Sequence, residues 1–130
     1  SVDRMIPDFG KGLPNAIPVV GNWPGSTGLG DKVGVYTDGT WYLDMNGNGQ
    51  WNPGTDTMVA DFGKGLTGAQ PVVGDWNNTG SIKVGVFWNG TWFLDNNGNY
   101  GWNGTGTGLD VMYPDFGKAL PNALPVVVRW

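Results

Sequence analysis

The 130-residue chain carries 11 Asp, five Lys and two Arg, with no Glu, His or Cys, for a net charge of −4. This composition gives no basic stripe for a phosphate backbone to follow and no disulfide or thiolate zinc site, and it lacks the usual catalytic bases and nucleophile partners. The chain is 39% apolar and 13% aromatic, with 24 Gly and 9 Pro, enough for one domain with a real core but poor in helix formers, so an all-β fold is expected.

Taken in order, Met5 to Gly10 (MIPDFG) reads as the trailing end of a unit whose beginning is absent, and residues 1–17 as that end plus a connector. A full unit follows over 18–70, a second over 71–124, and residues 125–130 (PVVVRW) repeat the start of a third. The two full units match segment by segment, PVVGNW on PVVGDW, KVGVY on KVGVF, GTWYLD on GTWFLD and NGNGQW on NGNYGW. Phe9, Phe62 and Phe116 lie 53 and 54 residues apart, as do Pro18, Pro71 and Pro125. A period of this size marks a propeller, solenoid or array.

Within the second unit, Pro71–Trp76 is a short apolar run bounded by Pro and Gly, predicted as a first strand. Lys83–Phe87 is the second, with Val84 and Val86 on one face and Gly85 allowing a close approach. Asn89-Gly90 predicts a tight hairpin, matched by Asp38-Gly39 in the first unit. Thr91–Asp95 is the third strand, with Trp92 and Leu94 on one face and Phe93 on the other. Asp110–Phe116 is the fourth. Sheets apolar on both faces need cover on both, which four-stranded propeller-type blades provide by packing face to face. The expected architecture is therefore about two blades plus split terminal strands, with a linear array of separate sheets as the rival.

The recurring Phe-Gly followed by Ala-x-Pro, at Phe9-Gly10 to Pro18, Phe62-Gly63 to Pro71 and Phe116-Gly117 to Pro125, joined to Pro-Val-Val-Gly-Asp-Trp, resembles the FG-GAP or VCBS-type repeat of integrin-like surface propellers. The resemblance covers nearly the whole chain and implies a scaffold outside the cell or on its surface, with the ligand left open. It also implies a calcium loop after the first strand, but that pattern has decayed. Asp75 and Asn77 survive while Thr79 and Lys83 stand where acids are expected, and the other copy reads Asn22, Pro24, Ser26.

The loop after the third strand keeps alternating oxygens, Asp44, Asn46 and Asn48 in one unit and Asp95, Asn97 and Asn99 in the other, each followed by a later Asp. Two readings stand: a weak calcium site resembling the start of an EF-hand loop, or Asx side chains capping tight turns. Among eight Trp, Trp41 and Trp92 lie inside strands, and Trp23, Trp76 and Trp130 end first strands, all read as packing residues. Trp51, Trp88 and Trp102, with Asn89, sit in or beside loops and are candidates either for packing or for stacking on sugar rings. Asn77, Asn89 and Asn103 begin glycosylation-type triplets that arise easily in such loops.

These features lead to a non-enzymatic scaffold that closes into a ring with one or two further copies of itself. The alternatives are a glycan-binding module and an excised or designed piece of a larger propeller. No resident cofactor beyond weak calcium is implied, nor a nucleic-acid partner. No apolar run reaches the roughly 20 residues that span a bilayer, and Ser1 opens no signal-peptide pattern.

Overall fold

The computed structural model describes residues 3–128, and the fold is all-β with no helix among them. Two four-stranded antiparallel sheets run in sequence order, β1 (Ile17–Gly21), β2 (Lys32–Thr37), β3 (Thr40–Leu43) and β4 (Thr57–Val59) in one, β5 (Gln70–Gly74), β6 (Lys83–Trp88), β7 (Thr91–Leu94) and β8 (Val111–Tyr113) in the other. Their registers are equivalent, since Val19 faces Gly34 and Gly34 faces Leu43 as Val72 faces Gly85 and Gly85 faces Leu94. Both β2–β3 and β6–β7 hairpins turn on two residues of positive φ, Asp38 (47°) and Gly39 (92°), Asn89 (49°) and Gly90 (84°). Two consecutive left-handed residues give the turn whose twist matches the strands it joins.

Because side chains alternate along a strand, each sheet has two apolar faces. The face of the first sheet formed by Val19, Tyr36, Trp41, Leu43 and Val59 packs against Val84 and Val86 of the second, in one core that also takes in Trp23, Met45, Phe62 and Ala69. The first strands β1 and β5 approach one another, and Ile82 N–H donates to Asn22 O across the sheets at 2.8 Å. The opposite face of the second sheet holds a smaller cluster, Val72, Phe87 and Leu94 with Trp76, Trp92 and Val111. We call this second side, over which no other sheet packs, the trailing face, and the side bearing Val84 and Val86 the leading face.

Several sequence expectations need correction. Strand β8 stops at Tyr113 rather than Phe116, because β7 offers it only three partners, ending opposite Trp92, and Pro114 has no N–H to continue a ladder. Strand β5 stops at Gly74, where Asp75 begins a turn. Residues 5–9 and 125–128 form no strand. A fourth strand arises here by pairing with a third, and a first with a second, and neither segment has such a neighbour among the described residues. Trp130, read as a packing residue, lies outside them.

Gly85 makes room less for another backbone than for side chains. A Cβ there would lie 2.9 Å from Leu94 Cδ2, 3.0 Å from Val72 Cγ2 and 3.0 Å from Phe93 O. Two of those contacts belong to the flanking strands' core side chains, so Gly85→Ala is expected to cost about 1 to 3 kcal/mol by overpacking, read as a lower midpoint in urea. An unchanged midpoint would show that the three strands can move apart freely.

Candidate functional site

The loop between β5 and β6 is organised around an ammonium group. Lys83 Nζ donates to Asp75 Oδ1 at 2.8 Å, Thr79 Oγ1 at 2.7 Å and Ser81 O at 2.9 Å. Asp75 also accepts the Thr79 and Gly80 amides at 2.9 and 2.8 Å. Both partners are almost wholly enclosed, Lys83 at 2% and Asp75 at 5% side-chain exposure. Burial opposes ionisation of Asp75, but the Lys83 hydrogen bond, the two amides and the lysine charge outweigh it and hold the carboxyl at about 2. In the first unit Lys32 Nζ takes the same place with neutral acceptors, Asn22 Oδ1 at 3.1 Å, Gly30 O at 3.0 Å and Gly28 O at 3.4 Å. A lysine therefore stands at the centre of both oxygen-lined loops, and their residues do not fit calcium, which wants six to eight oxygens with several charged. The signal was the recurrence of Lys32 and Lys83 at one place in the unit.

The loops after the third strands are closed by their own backbone. Asp44 is buried and accepts the Gly47 amide on Oδ1 and the Gly49 amide on Oδ2, both at 2.8 Å. Asp56 accepts Met45 N–H at 2.8 Å and Asn52 N–H at 2.7 Å, so two carboxylates fasten both ends of one loop. Asn46 and Asn48 each accept the amide two residues on, and both donate to Asn52 Oδ1.

The second unit repeats the scheme. Asp95 accepts Gly98, Asn99 and Tyr100 amides, Asp110 accepts Asn96 and Asn103 amides, and Asn97 and Asn99 converge on Asn103 Oδ1. Burial raises the Asp95 pKa, the Tyr100, Gly98 and Asn99 amides pull it down, and the Asp110 charge pushes it up. Among the described residues no three His, Cys, Asp or Glu side chains cluster. The turn role of these side chains is visible in every one of those bonds, and millimolar calcium or chelator is expected to leave the melting temperature unchanged. A rise of several degrees with calcium would mark a site that binds only the folded chain.

The candidate tryptophans fall into two groups. Trp88 Nε1 donates to Thr67 O at 3.0 Å, tying its hairpin to the preceding connector, and Asn89 is the exposed hairpin tip beside it. Trp51 and Trp102 are 37% and 42% exposed. Trp51 meets Tyr42 and Phe9 edge-on at 5.2 and 6.3 Å, and Trp102 meets Phe93 and Phe62 at 5.4 and 6.3 Å. Each thus bridges its own third strand to the Phe-Gly turn that precedes its unit. Tyr100, which sequence reasoning passed over, ties the sheets together by donating its hydroxyl to Pro24 O at 2.6 Å, and burial followed by the Asp95 charge raises its pKa.

A further apolar surface is the trailing face of the second sheet. Phe62 and Val59, on the matching face of the first sheet, are buried, Phe62 at 2% exposure, because the second sheet covers them; their counterparts Phe116 and Tyr113 are 79% and 54% exposed. Trp92, Leu94, Val111 and Tyr113 line one side of a largely apolar groove of about 500 Å³ there, with Val126–Val128 along the other. No helix among the described residues is long and apolar enough to cross a membrane. Compared with protein-family models, curated proteins and solved structures, the chain matches none.

Proposed function

We propose that this chain is a non-enzymatic scaffold of propeller-type blades, related to the FG-GAP or VCBS repeat by the motifs given above, whose blades associate face to face and close a ring with further copies. One observation carries the reading: the same repeat face is sealed by a neighbouring sheet in one unit and has no sheet over it in the other, so that Phe62 is 2% exposed and Phe116 79%. Contiguous apolar surface of that kind marks an interaction site, and closed symmetry is the usual way to cover it. The lack of His, Cys and Glu agrees with a scaffold, and a place outside the cell follows from the resemblance alone.

Light scattering at micromolar concentration is expected to give two or three times 13.9 kDa, and Tyr113→Asp, placing a charge on the trailing face, to give monomers. A monomeric wild-type mass with cooperative unfolding intact overturns the proposal. A glycan-binding role draws support from the part-exposed rings of Trp51 and Trp102, and a glycan array on the purified chain tests it.

A further inference from the structure

The assembly proposed above raises a question of occupancy, because two segments of this chain claim one place. Pro7–Val20 (PDFGKGLPNAIPVV) and Pro114–Val127 (PDFGKALPNALPVV) are identical at 12 of 14 positions, and the internal copy, 60–73 (ADFGKGLTGAQPVV), matches them at only 10 and 9. All three fold alike at their start. Lys11, Lys64 and Lys118 amides donate to Asp8, Asp61 and Asp115 carbonyls, and Leu13, Leu66 and Leu120 amides donate to Gly10, Gly63 and Gly117 carbonyls.

The internal copy touches both sheets. On the trailing face of the first, Phe62 O accepts Trp41 Nε1–H at 2.9 Å and the Lys64 backbone packs on Gly39. On the leading face of the second, Phe62 stands on Trp102 and Gly63 packs on Val86, where an added Cβ would come within 3.0 Å. The two outer segments each make half of these contacts. Phe116 O accepts Trp92 Nε1–H at 2.8 Å and Lys118 packs on Gly90. Phe9 stands on Trp51 at 6.3 Å, and Gly10 packs on Val35, with an added Cβ at 2.8 Å.

When the leading face of one copy's first sheet meets the trailing face of another copy's second sheet, both segments would need to occupy the single place that 60–73 fills inside the chain. We infer that Pro114–Val127 is a placeholder, and that Pro7–Val20 of a second copy displaces it on assembly, restoring the Trp92 hydrogen bond through Phe9 O of the second copy. The asymmetry of anchoring decides which segment leaves. Residues 17–20 belong to β1, which is paired with β2 over five residues, and they arrive with their sheet. The 114–127 segment has no strand partner, and Leu120, Leu124 and Val126 on it are exposed. Because the incoming segment carries the same side chains at 12 of 14 positions, the exchange replaces like with like and adds the burial of a whole blade face.

This inference rests on face-to-face assembly, and the test separates the two. Full-length wild type, Phe116→Ala and Phe9→Ala are compared by light scattering over a concentration series, with hydrogen exchange on the wild type in its assembled and dilute forms. Displacement expects Phe116→Ala to assemble at a concentration equal to or several-fold below wild type, Phe9→Ala at one several-fold above, and exchange to slow at residues 9–20 while residues 114–127 stay labile. If wild type assembles but Phe116→Ala weakens it as much as Phe9→Ala does, or protection appears at 114–127 instead, displacement fails and the face reading stands. A wild type that stays monomeric at every concentration overturns the assembly, and displacement with it, whatever Phe116→Ala does. If all three stay monomeric at every concentration, both fail.

Discussion

Lys83→Met is expected to lower stability by about 3 to 5 kcal/mol, the usual consequence of removing one partner from a buried ion pair. Methionine keeps most of the stem but none of the donors, so Asp75, Thr79 Oγ1 and Ser81 O lose the group that draws them together. Asp75→Asn should cost clearly less. The first unit already uses that arrangement, with Asn22 and two carbonyls around Lys32. Chemical unfolding of the two variants checks the ordering, and equal losses would mean that the loop depends on the charged carboxylate as much as on the ammonium.

The same pair sets an acid limit. The folded pKa of Asp75 is depressed to about 2, below its unfolded value near 3.8, so its contribution to stability is present at pH above about 4 and is lost as pH falls through about 2. Melting temperatures measured between pH 5 and 2 should fall more steeply for wild type than for Asp75→Asn. Parallel curves would remove Asp75 from the acid response.

The fold was legible where period and alternation act together. Phe93 opposite to Trp92 and Leu94, Val84 sharing a face with Val86, and the Asn89-Gly90 hairpin all follow from a pleat of period two and from residues that accept positive φ. What sequence could not show was pairing that depends on a missing neighbour. Met5–Phe9 (MIPDF) matches Met112–Phe116 (MYPDF) at four of five positions, and nothing within such a segment distinguishes one that has a third strand beside it from one that has none.

The lysines were visible as departures from an acidic pattern, but their role required the third dimension, because the oxygens that Lys83 gathers come from both sides of a turn. The Asx loops illustrate a different limit. Alternating oxygens at Asp44, Asn46 and Asn48 look alike whether they face an ion or the backbone, and only the amide positions separate the two.

Trp41→Ala and Trp92→Ala are one substitution made at two equivalent places, and their difference measures what a neighbouring blade contributes. Trp41 is fully buried between the sheets, with its ring edge-on to Tyr36 at 4.9 Å and its indole hydrogen on Phe62 O. Truncating a buried ring of that size costs about 3 to 5 kcal/mol, a large share of the roughly 5 to 15 kcal/mol that holds a domain together. Trp92 has the corresponding contacts, Phe87 at 5.0 Å and Phe116 O at 2.8 Å, but it lies part-exposed on a face that no sheet covers. Its loss in the dilute monomer should be roughly half as large, since area left in water contributes nothing to folding. If a second copy's blade covers Trp92 on assembly, as proposed, in the way the second sheet covers Trp41, the two costs should converge at high protein concentration. Urea midpoints taken at low and high protein concentration give the four numbers. A gap that stays the same at both would mean that no blade face ever arrives on Trp92.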